Sequence, residues 1–141
     1  MFFTAYVQIP DIHIWPLALI LGSAIGLMGI NVLIVNNYRD YYDDKEVGKK
    51  TTAVLFGRKA ISIVYLINGF LAAILINASI INYSGVLWQI GALIYANQHY
   101  LIWKKLINTE GAGLNRLLGE TAMMLVEMAI WVMIVFSVNI A

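Results

Sequence analysis

Residues 14–51 read IWPLALILGSAIGLMGINVLIVNNYRDYYDDKEVGKKT, an apolar run that ends abruptly in a charged block. No charged side chain occurs from Ile14 to Val35, and a helix that crosses a bilayer takes roughly 20 apolar residues. The stretch therefore predicts a membrane span with its chemistry gathered at one end. Between Arg39 and Lys59 lie six of the nine Lys and Arg and four of the eight Asp and Glu.

The rest of the chain agrees. With 61% hydrophobic and 12% charged residues in 141, and a mean hydropathy of +0.78, it lacks the polar surface of a water-soluble domain. Four stretches qualify as spans: about 14–38, 60–81, 83–103 and 117–138. The segment from Ala60 to Trp103 contains no Asp, Glu, Lys or Arg and predicts two spans joined by a tight turn at Asn82, Ser84 and Gly85. All nine Lys and Arg fall into two clusters, Arg39 to Lys59 and Lys104 to Arg116. Four spans put both clusters on one side, which the excess of positive charge makes cytoplasmic. The expectation is an all-α, multi-pass protein of the cell membrane, with the motif loop at 36–59 in the cytoplasm and no nucleic-acid footprint. Zero cysteines exclude disulfides, thiolate metal sites and cysteine nucleophiles. Met1 to Pro16 lack the basic start of a secretory signal, and a start at Met1 looks internal.

Within the first span, Gly22, Gly26 and Gly29 have the spacing that lets another helix approach closely. Asn31, Asn36 and Asn37 are amides whose burial in hydrocarbon without partners costs a few kcal/mol, so they are expected to face protein or a wet cavity. From Arg39 to Glu46 the pattern stays compatible with helix, and Gly48 offers a stop.

Asp40 and Asp44 are four residues apart, so a helix stacks them on one face. Two like charges so placed need a cation between them or cationic partners. An oxygen-only donor set suits Mg²⁺, which takes one or two carboxylates and completes its shell with water and phosphate oxygens. Arg39 and Lys49, in the same few turns, suit phosphate oxygens. The run Gly48-Lys49-Lys50-Thr51 is no P-loop, lacking the earlier glycine and the preceding strand, and the alternation of an EF-hand loop is absent. Spacing alone leaves two readings standing: a metal and phosphate site, or a solvated loop stitched by salt bridges.

The pattern Asn36-Asn37-x-Arg39-Asp40-x-x-x-Asp44-x-x-x-Gly48-Lys49-x-Thr51 resembles the second aspartate-rich motif of the UbiA superfamily of intramembrane prenyltransferases. Its form is most similar to the 1,4-dihydroxy-2-naphthoate prenyltransferases of menaquinone synthesis. The segment Leu114-Asn115-Arg116-Leu117-Leu118-Gly119-Glu120-Thr121-Ala122 resembles the opening of the last helix in that branch. The resemblance implies the C-terminal half of a bundle of about nine helices. By it, Asp40 and Asp44 bind Mg²⁺, Lys49 with Arg39 and Asn36 holds the diphosphate of a polyprenyl diphosphate, and an aromatic acceptor takes the prenyl group. Acceptors other than the naphthoate, such as 4-hydroxybenzoate or a tetrapyrrole, stay open, as does a non-catalytic membrane subunit. The family's first motif needs three aspartates in nine residues, and Asp11 is the only one left outside the second. The first motif is therefore expected on a preceding segment or on a partner half, with a decayed half-gene as the alternative.

Several further residues stand out. Glu127 falls mid-span, where a charge costs roughly 2.5–3.5 kcal/mol on insertion scales, which favours a buried hydrogen bond to another helix, or drift in a truncated gene, over a substrate-facing role. Glu120 is expected to be solvated near the boundary. Asn97, Gln98 and His99 form a polar run in the third span, with His99 expected as a hydrogen-bonded bundle residue and not a ligand. Tyr95 and Tyr100 either line a channel or pack, and Trp15, Trp88 and Trp103 fit interfacial belts. The sequons at Asn77 and Asn82 fall at membrane depth and read as chance matches.

Overall fold

The computed structural model describes residues 15–80 and 89–139, and every described element is helical. In order they are α1 (Trp15–Arg39), α2 (Tyr41–Glu46), α3 (Thr52–Phe56), α4 (Arg58–Ile80), α5 (Ile90–Asn108) and α6 (Gly113–Asn139). Helices α1, α4 and α6 start or end within about four residues of the spans expected from sequence. The turn at 82–85, Asn82 and Trp88 lie outside the described residues.

Three of the described helices are long and apolar enough to cross a membrane: Trp15–Arg39, Arg58–Ser79 and Gly113–Val138. The third expected span, 83–103, lies partly outside the described residues; the described part of its helix runs from Ile90 to Asn108, carrying Asn97 to His99 in the middle and Lys104 and Lys105 near the end, and is not among these three.

The four long helices close into a ring, α1 packing mainly on α4 and α6, and α5 on α4 and α6. At its centre is Tyr65 of α4, fully buried. Its backbone carbonyl accepts from Asn31 Nδ2 of α1 at 3.2 Å and from His99 Nε2 of α5 at 3.0 Å. A carbonyl oxygen cannot donate, so the imidazole proton sits on Nε2. The Tyr65 hydroxyl meets Thr121 Oγ1 of α6 at 3.2 Å. One residue thus links all four long helices in surroundings where an unmet polar group is costly. The phenol ring also stacks on His99 with centroids 4.5 Å apart, and the Tyr95 ring stacks on His99 at 5.9 Å.

Gly69 makes this possible. A helical carbonyl at position i is shadowed by the side chain at i+4, and Gly69 has none, so the His99 ring reaches the Tyr65 carbonyl against bare backbone; a Cβ there would collide with the imidazole. The expectation for His99 therefore holds, and Asn31 faces protein as foreseen. Tyr95 packs, and Tyr100 stacks on Trp103 at 5.9 Å. The glycine stripe behaves otherwise: a Cβ added at Gly22, Gly26 or Gly29 meets nothing within 4 Å, so no described helix uses that close approach.

Replacing Gly69 with Ala should force His99 off the Tyr65 carbonyl and lower stability by about 1–3 kcal/mol, the usual cost of overpacking. Thermal unfolding of the purified chain in detergent reads this directly, and Gly26→Ala, with open space around it, should change little.

Candidate functional site

Helix α1 carries its hydrogen-bond ladder beyond its last residue: Asp40 N donates to Asn36 O at 3.0 Å and Asp44 N to Asp40 O at 2.8 Å. The expected helical extension is present, as α1, a turn at Asp40 and α2. It ends at Gly48, whose φ of +74° is a left-handed conformation that suits glycine. That reversal brings Lys49 back over the helix it has just left. Its N–H donates to Asp44 O at 2.8 Å, and its ammonium to Asp44 Oδ1 at 2.8 Å.

Asp40 and Asp44 each have a cation of their own. Arg39 forks onto Asp40, Nε to Oδ1 at 2.7 Å and Nη2 to Oδ2 at 3.0 Å, while Asn36 donates to the same Oδ2 at 3.3 Å and accepts from Arg39 Nη2 at 2.9 Å. Two-pronged arginine pairing is the stronger and more rigid type. Asp44 is 5% exposed, although its partner Lys49 has a side chain 66% exposed. The bond from Arg39 holds the Asp40 carboxyl below the usual carboxylate range, and the bond to Asp44 raises the Lys49 ammonium. A lowered acid contributes its stability above its ordinary pKa of about 3.9 and loses it as pH falls through the lower folded value. A raised lysine contributes below about 10.4 and loses it on further alkalinisation. Asp40 and Lys49 are therefore both charged throughout the neutral range.

The five residues singled out from sequence, Asn36, Arg39, Asp40, Asp44 and Lys49, thus form one cluster. As a metal cradle it offers two carboxylates and no more: no group of three or more His, Cys, Asp or Glu is assembled among the described residues. Two oxygen donors fit Mg²⁺, which fills its remaining positions from water and phosphate.

Sequence reasoning missed the struts around this cluster. Arg39 Nη1 donates to Asn115 Oδ1 at 3.1 Å, joining the first motif-like segment to the second. Asn37 Nδ2 donates to Thr52 Oγ1 at 3.0 Å, and Thr52 opens a short helix, α3, that had been expected as loop. Its signals were Thr51, whose hydroxyl accepts from Val54 N at 3.4 Å as an N-cap, and Gly57 after its last residue, with φ of +82°. The Arg58 guanidinium lies 4.0 Å above the Tyr38 ring and 5.5 Å from that of Tyr42, with Nη1 2.8 Å from Glu110 Oε1. One side chain thereby binds the end of α1, the motif helix α2 and the α5–α6 connection.

Two acids in α6 depart from expectation. Glu120 is not merely solvated; it accepts from Lys105 at 2.9 Å and Arg116 at 2.8 Å. Glu127 makes no buried hydrogen bond to another helix. It is exposed, without a partner among the described residues, and borders two small clefts of about 150 and 250 Å³ that it shares with Gln98 and Met124.

The described geometry is that of a multi-pass α-helical membrane protein with an acidic, self-neutralised module at one end of its bundle. Residues 1–131 match the model of the UbiA prenyltransferase family, and the chain belongs to that family. A 67-residue segment is 36% identical to 4-hydroxybenzoate octaprenyltransferase of Alkalilimnicola ehrlichii, covering 45% of this chain and 23% of that protein. No solved structure matches the chain.

Lysine in place of Arg58 keeps the charge but loses the flat stacking surface over Tyr38 and Tyr42. Loss of about 1 kcal/mol of cation–π attraction should speed amide hydrogen exchange across residues 41–47 about fivefold, with little change in the middle of α4.

Proposed function

We propose that this chain supplies the second-motif part of a prenyltransferase site, transferring a polyprenyl group from its diphosphate to an aromatic acceptor on the cytoplasmic side of the cell membrane. The observation that carries the reading is the pairing at the motif: two carboxylates one helical turn apart, each held by a cation whose geometry also suits phosphate oxygen. Asp40 and Asp44 would hold Mg²⁺, which when bound supplies positive charge to the departing diphosphate. Lys49, the more exposed partner, turns from Asp44 to a phosphate oxygen. Arg39, clamped by Asn36 and Asn115, presents a fixed guanidinium to the same anion. Charge that develops on the leaving group is thereby met by preorganised donors, and the C–O bond breaks to leave an allylic cation. The aromatic ring attacks that cation and then loses a proton, while an apolar bundle keeps water from intercepting it.

The motif's form supports 1,4-dihydroxy-2-naphthoate as acceptor, and with it menaquinone synthesis. The similarity to a 4-hydroxybenzoate octaprenyltransferase supports 4-hydroxybenzoate. Both readings share the diphosphate chemistry and a requirement for the first aspartate-rich motif, which these 141 residues do not carry.

Calorimetry of the purified chain with Mg²⁺ and inorganic pyrophosphate tests the site. Asp40→Asn and Asp44→Asn should each weaken Mg²⁺-dependent binding at least tenfold, about 1.4 kcal/mol, and Lys49→Ala should weaken it less. Unchanged affinity in the double aspartate variant would rule out the proposed roles. Co-expression with a first-motif half, offered each aromatic acid in turn, decides the acceptor.

A further inference from the structure

Under α3 lies an apolar groove of about 490 Å³. Ile30 and Ile34 of α1 and Ile61 and Val64 of α4 form its walls, and Phe56 of α3 overhangs it. The Asn37–Thr52 hydrogen bond closes its charged end. From Asn37 to Ile30 is seven residues, about 10 Å along a helix, so the groove descends from the water boundary into the depth occupied by the first carbons of a lipid chain. Its rim is apolar and exposed: Phe56 is 70% and Leu55 59% accessible.

The charges at this rim set it apart. Of the nine Lys and Arg, Arg39, Lys49, Arg58, Lys105 and Arg116 have acidic partners. Lys45 and Lys104 lie over tyrosine rings. Lys50 and Lys59 alone have neither among the described residues, and they stand immediately before and after Thr51–Arg58, bracketing α3. The unpaired acids Asp43 and Glu46 belong to α2. Exposed apolar side chains flanked by free lysines are the composition of a segment that seats in an anionic lipid surface.

We propose that the α1–α3–α4 groove is a binding site for an anionic phospholipid of the adjoining leaflet, one acyl chain lying against Ile34 and Ile61 beneath Phe56 and the phosphate held between Lys50 and Lys59. The site is separate from Asp40 and Asp44 and needs neither. Bound lipid fixes α3, and through Asn37–Thr52 the end of α1 next to the acidic motif.

Native mass spectrometry of the full chain released from nanodiscs of phosphatidylcholine and phosphatidylglycerol tests this. The expected result is retention of phosphatidylglycerol at least tenfold over phosphatidylcholine, since each lysine near an anionic surface contributes about a fivefold preference. Lys50→Gln with Lys59→Gln should abolish the preference while some lipid of either kind stays bound. Ala60→Trp, which fills the groove from an exposed wall position, should remove retention altogether, and Asp40→Asn should leave it intact. Equal retention of both lipids by the native chain, or no effect of Ala60→Trp, overturns the proposal. Displacement of phosphatidylglycerol by geranylgeranyl diphosphate, with Ala60→Trp weakening that ligand too, would assign the groove to a prenyl donor and likewise overturn it. Because the readout uses neither pyrophosphate nor turnover, its failure is distinct from failure of the aspartate site.

Discussion

The bundle depends on one backbone carbonyl. An oxygen exposed by the missing side chain of Gly69 would be a liability in an apolar interior, and the chain answers it with two donors from different helices, Asn31 and His99. The same residue's hydroxyl reaches Thr121. Apolar packing alone is tolerant of sliding and rotation, since one methyl contact substitutes for another. A shared carbonyl is not: both donors must arrive at hydrogen-bond distance together, which sets the rotation of α1 and α5 against α4. That register is what allows Arg39 to meet Asn115 and Arg58 to meet Glu110 at the charged end.

The two cations at the motif are bound differently. Arg39 makes donor contacts to Asp40, Asn36 and Asn115 from a planar group, so its position is fixed from three sides. Lys49 holds Asp44 through a single ammonium contact on a flexible stem, most of it in solvent. An arginine so braced serves as a fixed positive surface, whereas a lysine so placed has the freedom to swing, provided another cation then takes its place at the buried Asp44 carboxylate. Between them the module combines a fixed cation with an exchangeable one.

Much of this was legible in the sequence, for identifiable reasons. Uninterrupted apolar length announced α1, α4 and α6, the four-residue spacing brought Asp40 and Asp44 to one face, and Gly48 marked the reversal. His99 was read as a bundle residue because nothing of metal-binding type stood at helical spacing from it. What escaped the reading was long-range. No local pattern says that Arg58 will lie over Tyr38 instead of reaching for headgroups, or that Asn115 will find Arg39 across 76 positions. The third expected span is less apolar than the others, since its amides and imidazole lower it, and its helix runs on past Trp103 to Asn108. Helix α3 was missed although its cap, Thr51, and its terminator, Gly57, were both in plain view.

The left-handed turn at Gly48 has an entropic meaning as well as a geometric one. Apart from the Asn115 strut, every contact that neutralises Asp40 and Asp44 joins residues no more than five apart in the chain. Closing such short loops costs little entropy and requires no other helix. The ion pairs of the acidic module therefore need no contact from the other spans, and its neutralisation does not depend on closure of the bundle.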